Sequence, residues 1–215
     1  MISPIKNFIE QKDLDGLRLY LGSNPKLVNE GITIPFDKVC MIKAHPLHRI
    51  CDAVFAHKIT DTEAVLLAQI FLDHGAHVDG DKDKGAGTPI IAAASLRAEL
   101  VGILYIDHGA DIHYTYQNDG VTPLHWASFC GLDRLVNRLI EAGALVDLSD
   151  KNYQSTPLSW ALHSMEMNDP KKVYNQLACI QILLRHGADI NRLSPLKIDY
   201  LNQIAQDHSE LKALL

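Results

Sequence analysis

Histidine and cysteine are the residues of this chain whose types and spacing could do chemistry, because imidazole and thiolate bind metals and serve as bases or nucleophiles. The sequence contains 11 histidines and 4 cysteines. His45, His48 and Cys51 follow one another at three-residue intervals, which on a helix places them loosely on one side. Imidazole with thiolate suits zinc, yet no second close-spaced pair of ligands completes a tetrahedral set. A metal-binding or enzymatic protein that uses these three residues is therefore the alternative interpretation.

Motifs for other kinds of chemistry are absent from the sequence. It has no glycine-rich phosphate loop, no Gly-x-Ser-x-Gly elbow and no His-Glu-x-x-His motif. His74, His108 and His186 each precede a Gly-Ala pair, so one repeated structural position accounts for all three. We therefore predict that the chain is not an enzyme and that it binds no metal and no cofactor. The cysteines lack close-spaced pairs, as is typical of thiols in a reducing cytosol: Cys40, Cys51, Cys130 and Cys179.

An internal repeat in the sequence predicts the helices that would position any functional site. Thr122 can cap a helix, and proline at the next position sacrifices no hydrogen bond. Gly131 can end that helix, and Gly143 can end a second one whose apolar residues recur at helical spacing. The pattern returns every 34 residues, with starts at Thr88-Pro89, Thr122-Pro123 and Thr156-Pro157 and ends at Gly75-Ala76, Gly109-Ala110 and Gly143-Ala144. Gly187-Ala188 follows 44 residues later, so the last interval contains an insertion.

These repeats resemble the ankyrin repeat family, in which Thr-Pro-Leu-His-x-Ala-Ala starts a helix and Gly-Ala-Asp-Val-Asn ends a repeat. The chain reads Thr122-Pro-Leu-His125, His108-Gly-Ala-Asp-Ile-His113 and His186-Gly-Ala-Asp-Ile-Asn191. The histidine of the helix start is expected to hydrogen-bond the backbone of a neighbouring loop. The resemblance implies an all-α, helix-turn-helix solenoid of about five repeats with terminal capping helices. As one domain of residues 1–215, it would comprise an N-terminal capping repeat at 1–29, repeats at 44–79, 84–113, 117–147 and 150–191, and C-terminal capping helices at 194–215.

Charge and hydropathy exclude several classes of partner. The formal net charge is −6 and no basic tract is present, which argues against binding to nucleic acid or to an anionic membrane. The longest apolar runs, such as residues 64–72, are too short to span a bilayer, and the first residues lack the apolar core of a signal peptide. We expect a monomer in the cytoplasm. Small ankyrin-like proteins of host-associated bacteria are often effectors delivered into a host cell, and the resemblance leaves that alternative open.

The resemblance further implies a non-catalytic module that binds a partner protein or peptide on its concave surface. The contacts would come from the tips of the hairpin loops, called fingers, between the helix pairs and from the exposed side of the first helix of each pair. Trp126 and Trp160 are one 34-residue period apart, so we expect them to lie side by side. Aromatic side chains are enriched in binding hot spots. The open alternative is that Trp126 and Phe129 pack in the core. The predicted partner-binding residues are Tyr114, Tyr116, Asn118, Asp119, Val121, Trp126, Phe129, Tyr153, Gln154, Trp160 and His163.

Overall fold

Helices account for the regular structure of this protein. The computed structural model describes residues 4–32, 43–81, 87–115, 119–167 and 175–215. In these residues the bridged pair outside the helices is Ile32 with Ala44, and none of the helices is long and apolar enough to cross a bilayer. The predicted all-α fold class is confirmed. Two compact units make up the chain, Met1–Asp111 and Ile112–Leu215, and the single domain spanning residues 1–215 stays a prediction.

Three helix pairs are described in the first unit. The first helices of the pairs, α1, α3 and α5, pack against one another in chain order, and so do the second helices, α2, α4 and α6. Fully buried apolar side chains such as Leu17, Leu47 and Phe71 fill the space between the two rows. The helices are α1 (Pro4–Gln11), α2 (Leu14–Ser23), α3 (Pro46–Phe55), α4 (Asp61–Asp73), α5 (Pro89–Ser95) and α6 (Glu99–Asp107).

The second unit repeats this arrangement. Its first helices, α7, α9 and α11, pack in chain order, and the second helices α8 and α10 pack beside them. Leu124, Leu135 and Leu158 are fully buried in the core of this unit. The helices described in the two units amount to five pairs and a closing pair, as the sequence predicted. The second unit contains α7 (Pro123–Cys130), α8 (Asp133–Glu141), α9 (Pro157–Met167), α10 (Gln176–Arg185), α11 (Pro195–Asp207) and α12 (Ser209–Lys212).

The helix signals of the repeat act as expected at α7 and α8. Thr122 is the N-cap residue of α7 and Pro123 its first helical residue. The backbone N–H of Thr122 donates to Nδ1 of His125 at 3.2 Å, which satisfies a donor at the start of the helix. Gly131 ends α7 at a φ of 70°, and Gly143 follows α8 at a φ of 99°. Both values lie in the left-handed region, where glycine avoids the clash of a Cβ atom.

The ring of His125 joins the start of α7 to the turn that precedes α9. Because its Nδ1 accepts from Thr122, the proton lies on Nε2, which donates to the carbonyl oxygen of Ser155 at 3.2 Å. The side chain is fully buried, and this burial lowers the pKa of His125 and keeps the ring neutral. The bond to a neighbouring loop that the resemblance implied for the histidine of the helix start is therefore present at this repeat.

Candidate partner-binding site

Three aromatic rings of the second unit form a mutually contacting cluster. Trp126 and Phe129 lie on one face of α7, and Trp160 lies on α9. The ring centroids of Trp126 and Trp160 are 5.3 Å apart, those of Phe129 and Trp160 5.9 Å, and those of Trp126 and Phe129 6.1 Å. All three pairs meet edge to face, an arrangement that is favourable for aromatic quadrupoles. The expected proximity of the two tryptophans is confirmed.

The aromatic cluster forms the wall of an open pocket. All three rings are partly exposed, so they are neither buried core side chains nor fully solvated ones. The pocket has a volume of about 460 Å³, which is within the range typical of ligand sites. Its lining comes from α7, from the turn before α9, from α9 and from α11, and consists of Trp126, Phe129, Tyr153, Ser155, Ser159, Trp160, His163 and Lys197.

A buried carboxylate holds the turn and one ring of this pocket in place. Asp150 is fully buried, and its Oδ1 accepts the backbone N–H groups of Asn152 at 2.9 Å and Tyr153 at 2.7 Å. Its Oδ2 accepts the N–H of Ser155 at 3.2 Å and the indole N–H of Trp160 at 3.1 Å. Burial by itself raises the pKa of Asp150, but the hydrogen bonds outweigh it, and the pKa lies below its usual range. The ionised side chain therefore fixes both the turn and Trp160.

The preceding turn runs beside the one that Asp150 organises. The backbone N–H of Lys151 donates to the carbonyl oxygen of Asp119 at 2.7 Å. Gly120 has a φ of 81°, and a Cβ atom there would lie 3.3 Å from the backbone of Asp150 and Lys151. A side chain at this position would be strained by the positive φ and would require the neighbouring backbone to shift. The carboxylate of Asp119 accepts the N–H of Val121 at 2.9 Å, which closes the turn.

Lys197 supplies a cation to a pocket that is otherwise aromatic and polar. It lies on α11, is partly buried, and its Nζ donates to the carbonyl oxygen of Ser159 and, at 2.8 Å, to the Oγ of the same residue. Burial lowers the pKa of Lys197, and the nearby carboxylate of Glu166 acts in the opposite direction. The ammonium group is therefore anchored at the pocket by two neutral oxygens.

The structure places the predicted partner-binding residues in several different environments. Tyr153, 77 % exposed, with Gln154 and His163, faces solvent, and Trp126, Phe129 and Trp160 form the partly exposed cluster. Tyr114 and Asp119 are also partly exposed, but they do not line the pocket. Val121 is only 5 % exposed, so its side chain packs inward from the turn that precedes α7. Tyr116 and Asn118 lie outside the described residues.

Sequence reasoning missed Lys197 and Asp150. The signal for Lys197 was the helix start Ser194-Pro-Leu-Lys197, which parallels Thr122-Pro-Leu-His125 and Thr156-Pro-Leu-Ser159. This alignment places Lys197 at the histidine position of the motif, from which a side chain contacts the neighbouring repeat. For Asp150 the sequence shows only an acidic residue in a turn. Such a residue is equally compatible with a solvated position and with a buried one.

Two of the three residues of the metal hypothesis, His45 and Cys51, make other contacts in the first unit, whereas Nδ1 of His48 is buried with no hydrogen-bond partner among the described residues. His45 is the N-cap residue of α3; its Nδ1 accepts the N–H of Leu47 at 3.3 Å and its Nε2 lies 2.9 Å from Oδ1 of Asn29. Cys51 is fully buried with its thiol 3.5 Å from the carbonyl oxygen of Leu47, and burial raises its pKa. Over the described ranges, no group of three or more His, Cys, Asp or Glu side chains could hold a metal ion. The arrangement gives no support to a site at His45, His48 and Cys51.

Comparison with known protein families identifies the repeats. Residues 97–194 match the family model described as ankyrin repeats, in three copies. The matched segment includes every residue that lines the pocket except Lys197. No curated protein shows significant similarity to the chain.

Proposed function

Residues 97–194 are ankyrin repeats, which are generally protein–protein interaction modules, and from this premise we propose that the chain binds a partner protein or peptide without catalysing a reaction. The observation that carries the proposal is the partly exposed aromatic cluster of Trp126, Phe129 and Trp160 in the wall of an open pocket. Large aromatic side chains seldom stay accessible without a partner to cover them, and they dominate the energetics of many interfaces.

The rigidity of the pocket supports this function. The ring of Trp160 is held by Asp150, and the turn that carries Tyr153 is held by the same carboxylate. The first helices α7, α9 and α11 pack in a row, so the residues of the pocket are ordered before a partner arrives. A surface that is ordered in advance loses less conformational entropy on binding, and more of the contact energy remains as affinity.

The proposed surface extends from the pocket to the neighbouring turns. It comprises Trp126, Phe129, Tyr153, Gln154, Trp160 and His163, with Tyr114, Tyr116, Asn118 and Asp119 as its continuation. Val121 is left out because its side chain is buried. The proposal includes a monomer that acts in the cytoplasm, either of the cell that makes it or of a host cell into which it is delivered. The net charge of −6 supports a protein partner over a nucleic acid.

Replacing Tyr153 by alanine is expected to weaken partner binding by about tenfold or more while leaving the thermal midpoint unchanged. The reason is that Tyr153 is 77 % exposed, so its ring contributes little to packing within the chain but remains available to a partner. The measurement is quantitative mass spectrometry of proteins captured from the source cells by the immobilised full chain, with and without the substitution.

Leu145 provides the matched control for that experiment. It is 58 % exposed in the turn after α8 of the same unit and does not line the pocket. Leu145→Ala is expected to capture the same partners in the same amounts as the unaltered chain. Equal capture by Tyr153→Ala and Leu145→Ala would place the interaction elsewhere on the molecule and contradict the proposed surface.

A further inference from the structure

The cation in the aromatic pocket is not explained by a general protein-binding function. Lys197 reaches the pocket from α11, and burial disfavours its charged form, so its placement there carries an energetic cost. Its anchoring partners, the carbonyl oxygen and the hydroxyl of Ser159, are both neutral. None of the ion pairs within the described residues involves Lys197. Within the described part of the chain its positive charge is therefore not compensated by an ion pair and attracts an anion that enters the pocket.

The donors of Lys197 are also not exhausted. An ammonium group has three N–H donors, and Ser159 accepts two of them. The nearby carboxylate of Glu166 belongs to an exposed side chain of α9 that attracts the ammonium without forming an ion pair with it among the described residues. His163, exposed on the same helix, adds an imidazole to the lining of the pocket as a second hydrogen-bonding group beside the ammonium. The pocket thus combines apolar walls with donors suited to one carboxylate.

We propose that this pocket binds the C-terminal residue of a partner polypeptide, with its apolar side chain against Trp126, Phe129 and Trp160 and its terminal carboxylate on Lys197. The inference rests on the proposed function and adds the chemistry of the partner to it. A terminal residue carries an apolar side chain and a carboxylate on the same Cα atom, so both groups enter one pocket of about 460 Å³ together. Capture of a C-terminal carboxylate is a known mode of peptide recognition.

Other occupants fit the pocket less well. In an extended segment the side chain that follows an apolar anchor points to the opposite face, so an internal aspartate or glutamate next to the anchor faces away from Lys197. Aromatic clusters also attract cations through their ring faces. In this pocket, however, the ammonium of Lys197 lies in the same lining and repels a second positive charge.

The test uses short acetylated peptides that end in leucine, phenylalanine or methionine, each prepared as the free acid and as the C-terminal amide. Tryptophan fluorescence of the full chain reports binding directly, because the chain contains 2 tryptophans and both line the pocket. The free acids are expected to change this fluorescence on titration, and amidation is expected to weaken binding by about tenfold or more, since it removes a charge-assisted hydrogen bond. A peptide with an internal aspartate and an amidated end is expected to bind like the other amides.

Lys197→Met keeps most of the length of the side chain and removes its charge. In this variant the acid and the amide are expected to bind equally weakly. Lys212→Met, at an exposed position of α12, is expected to retain the full preference for the acid. Acid and amide peptides that bind alike to the unaltered chain would overturn the inference, as would an acid preference that survives in Lys197→Met. Absence of binding by all the free acids would overturn it too, whereas partner capture that depends on Tyr153 would leave the proposed function standing.

Discussion

Replacing Asp150 by asparagine is expected to lower the free energy of unfolding of the second unit by about 3 kcal/mol. Each carboxylate oxygen of Asp150 accepts two N–H groups, and the side chain is fully buried. Asparagine has nearly the same shape but only one oxygen. Its amide nitrogen would face two N–H donors, and those two donors would lose their hydrogen-bond acceptor. Denaturant unfolding followed by tryptophan fluorescence measures the loss, because Trp160 is one of those donors.

Asp199→Asn provides the control, since this residue is exposed on α11 of the same unit. It is expected to change the free energy of unfolding by less than about 0.5 kcal/mol, as is usual for exposed sites. The indole N–H resonance of Trp160 is expected to move in Asp150→Asn and to stay in place in Asp199→Asn. If Asp150→Asn unfolds at the same denaturant concentration as the unaltered chain, the carboxylate does not organise the pocket.

Acidification from pH 7 to pH 4 is expected to destabilise the first unit by about 3 kcal/mol through the protonation of His45 alone. Burial, reinforced by the charge of His77, lowers the pKa of this residue from 6.5 to about 4, against the opposing effect of Asp81. Between pH 6.5 and pH 4 the unfolded chain therefore binds a proton that the folded chain does not bind. The contribution is complete above pH 6.5 and is lost as the pH falls towards 4, and the pKa difference corresponds to about 3 kcal/mol.

His45→Asn isolates this effect. Asparagine is a good N-cap residue for α3 but does not titrate in this range. The free energy of unfolding, measured by urea denaturation followed by circular dichroism at pH 7, 5.5 and 4.5, is expected to depend less on pH in the variant. Asp150 does not interfere, because its lowered pKa keeps its contribution intact until the pH falls below 3.8. A variant with the same pH dependence as the unaltered chain would show that His45 does not stay neutral in the folded state.

The helices and part of the site were predictable from the sequence because both follow the repeat period. Thr122, Pro123 and Gly131 act locally through capping and backbone conformation, so their effects do not depend on distant residues. Trp126 and Trp160 occupy the same register of successive first helices that pack on each other, and the 34-residue interval therefore implied their contact. The repeat period predicts that two side chains are close together only when they occupy equivalent positions of successive repeats.

The rest of the site depends on features that no period encodes. The inward packing of Val121 and the burial of Asp150 follow from how two turns pack side by side, and polar turn sequences are compatible with either buried or exposed positions. Lys197 occupies an aligned position, but a lysine there reads as a solvated residue unless the oxygens of Ser159 are already placed. These contacts, between turns and between the helices α9 and α11, therefore have to be observed in the structure.

Site-specific photo-crosslinking in the source cells would show whether a partner protein binds at the aromatic pocket. A benzophenone amino acid at Tyr153, which is 77 % exposed, is expected to crosslink a partner protein on irradiation. The same group at Leu19, which is 75 % exposed on α2 of the first unit, is expected to crosslink no partner. Adducts at Leu19 and none at Tyr153 would show that the partner does not bind at the aromatic pocket.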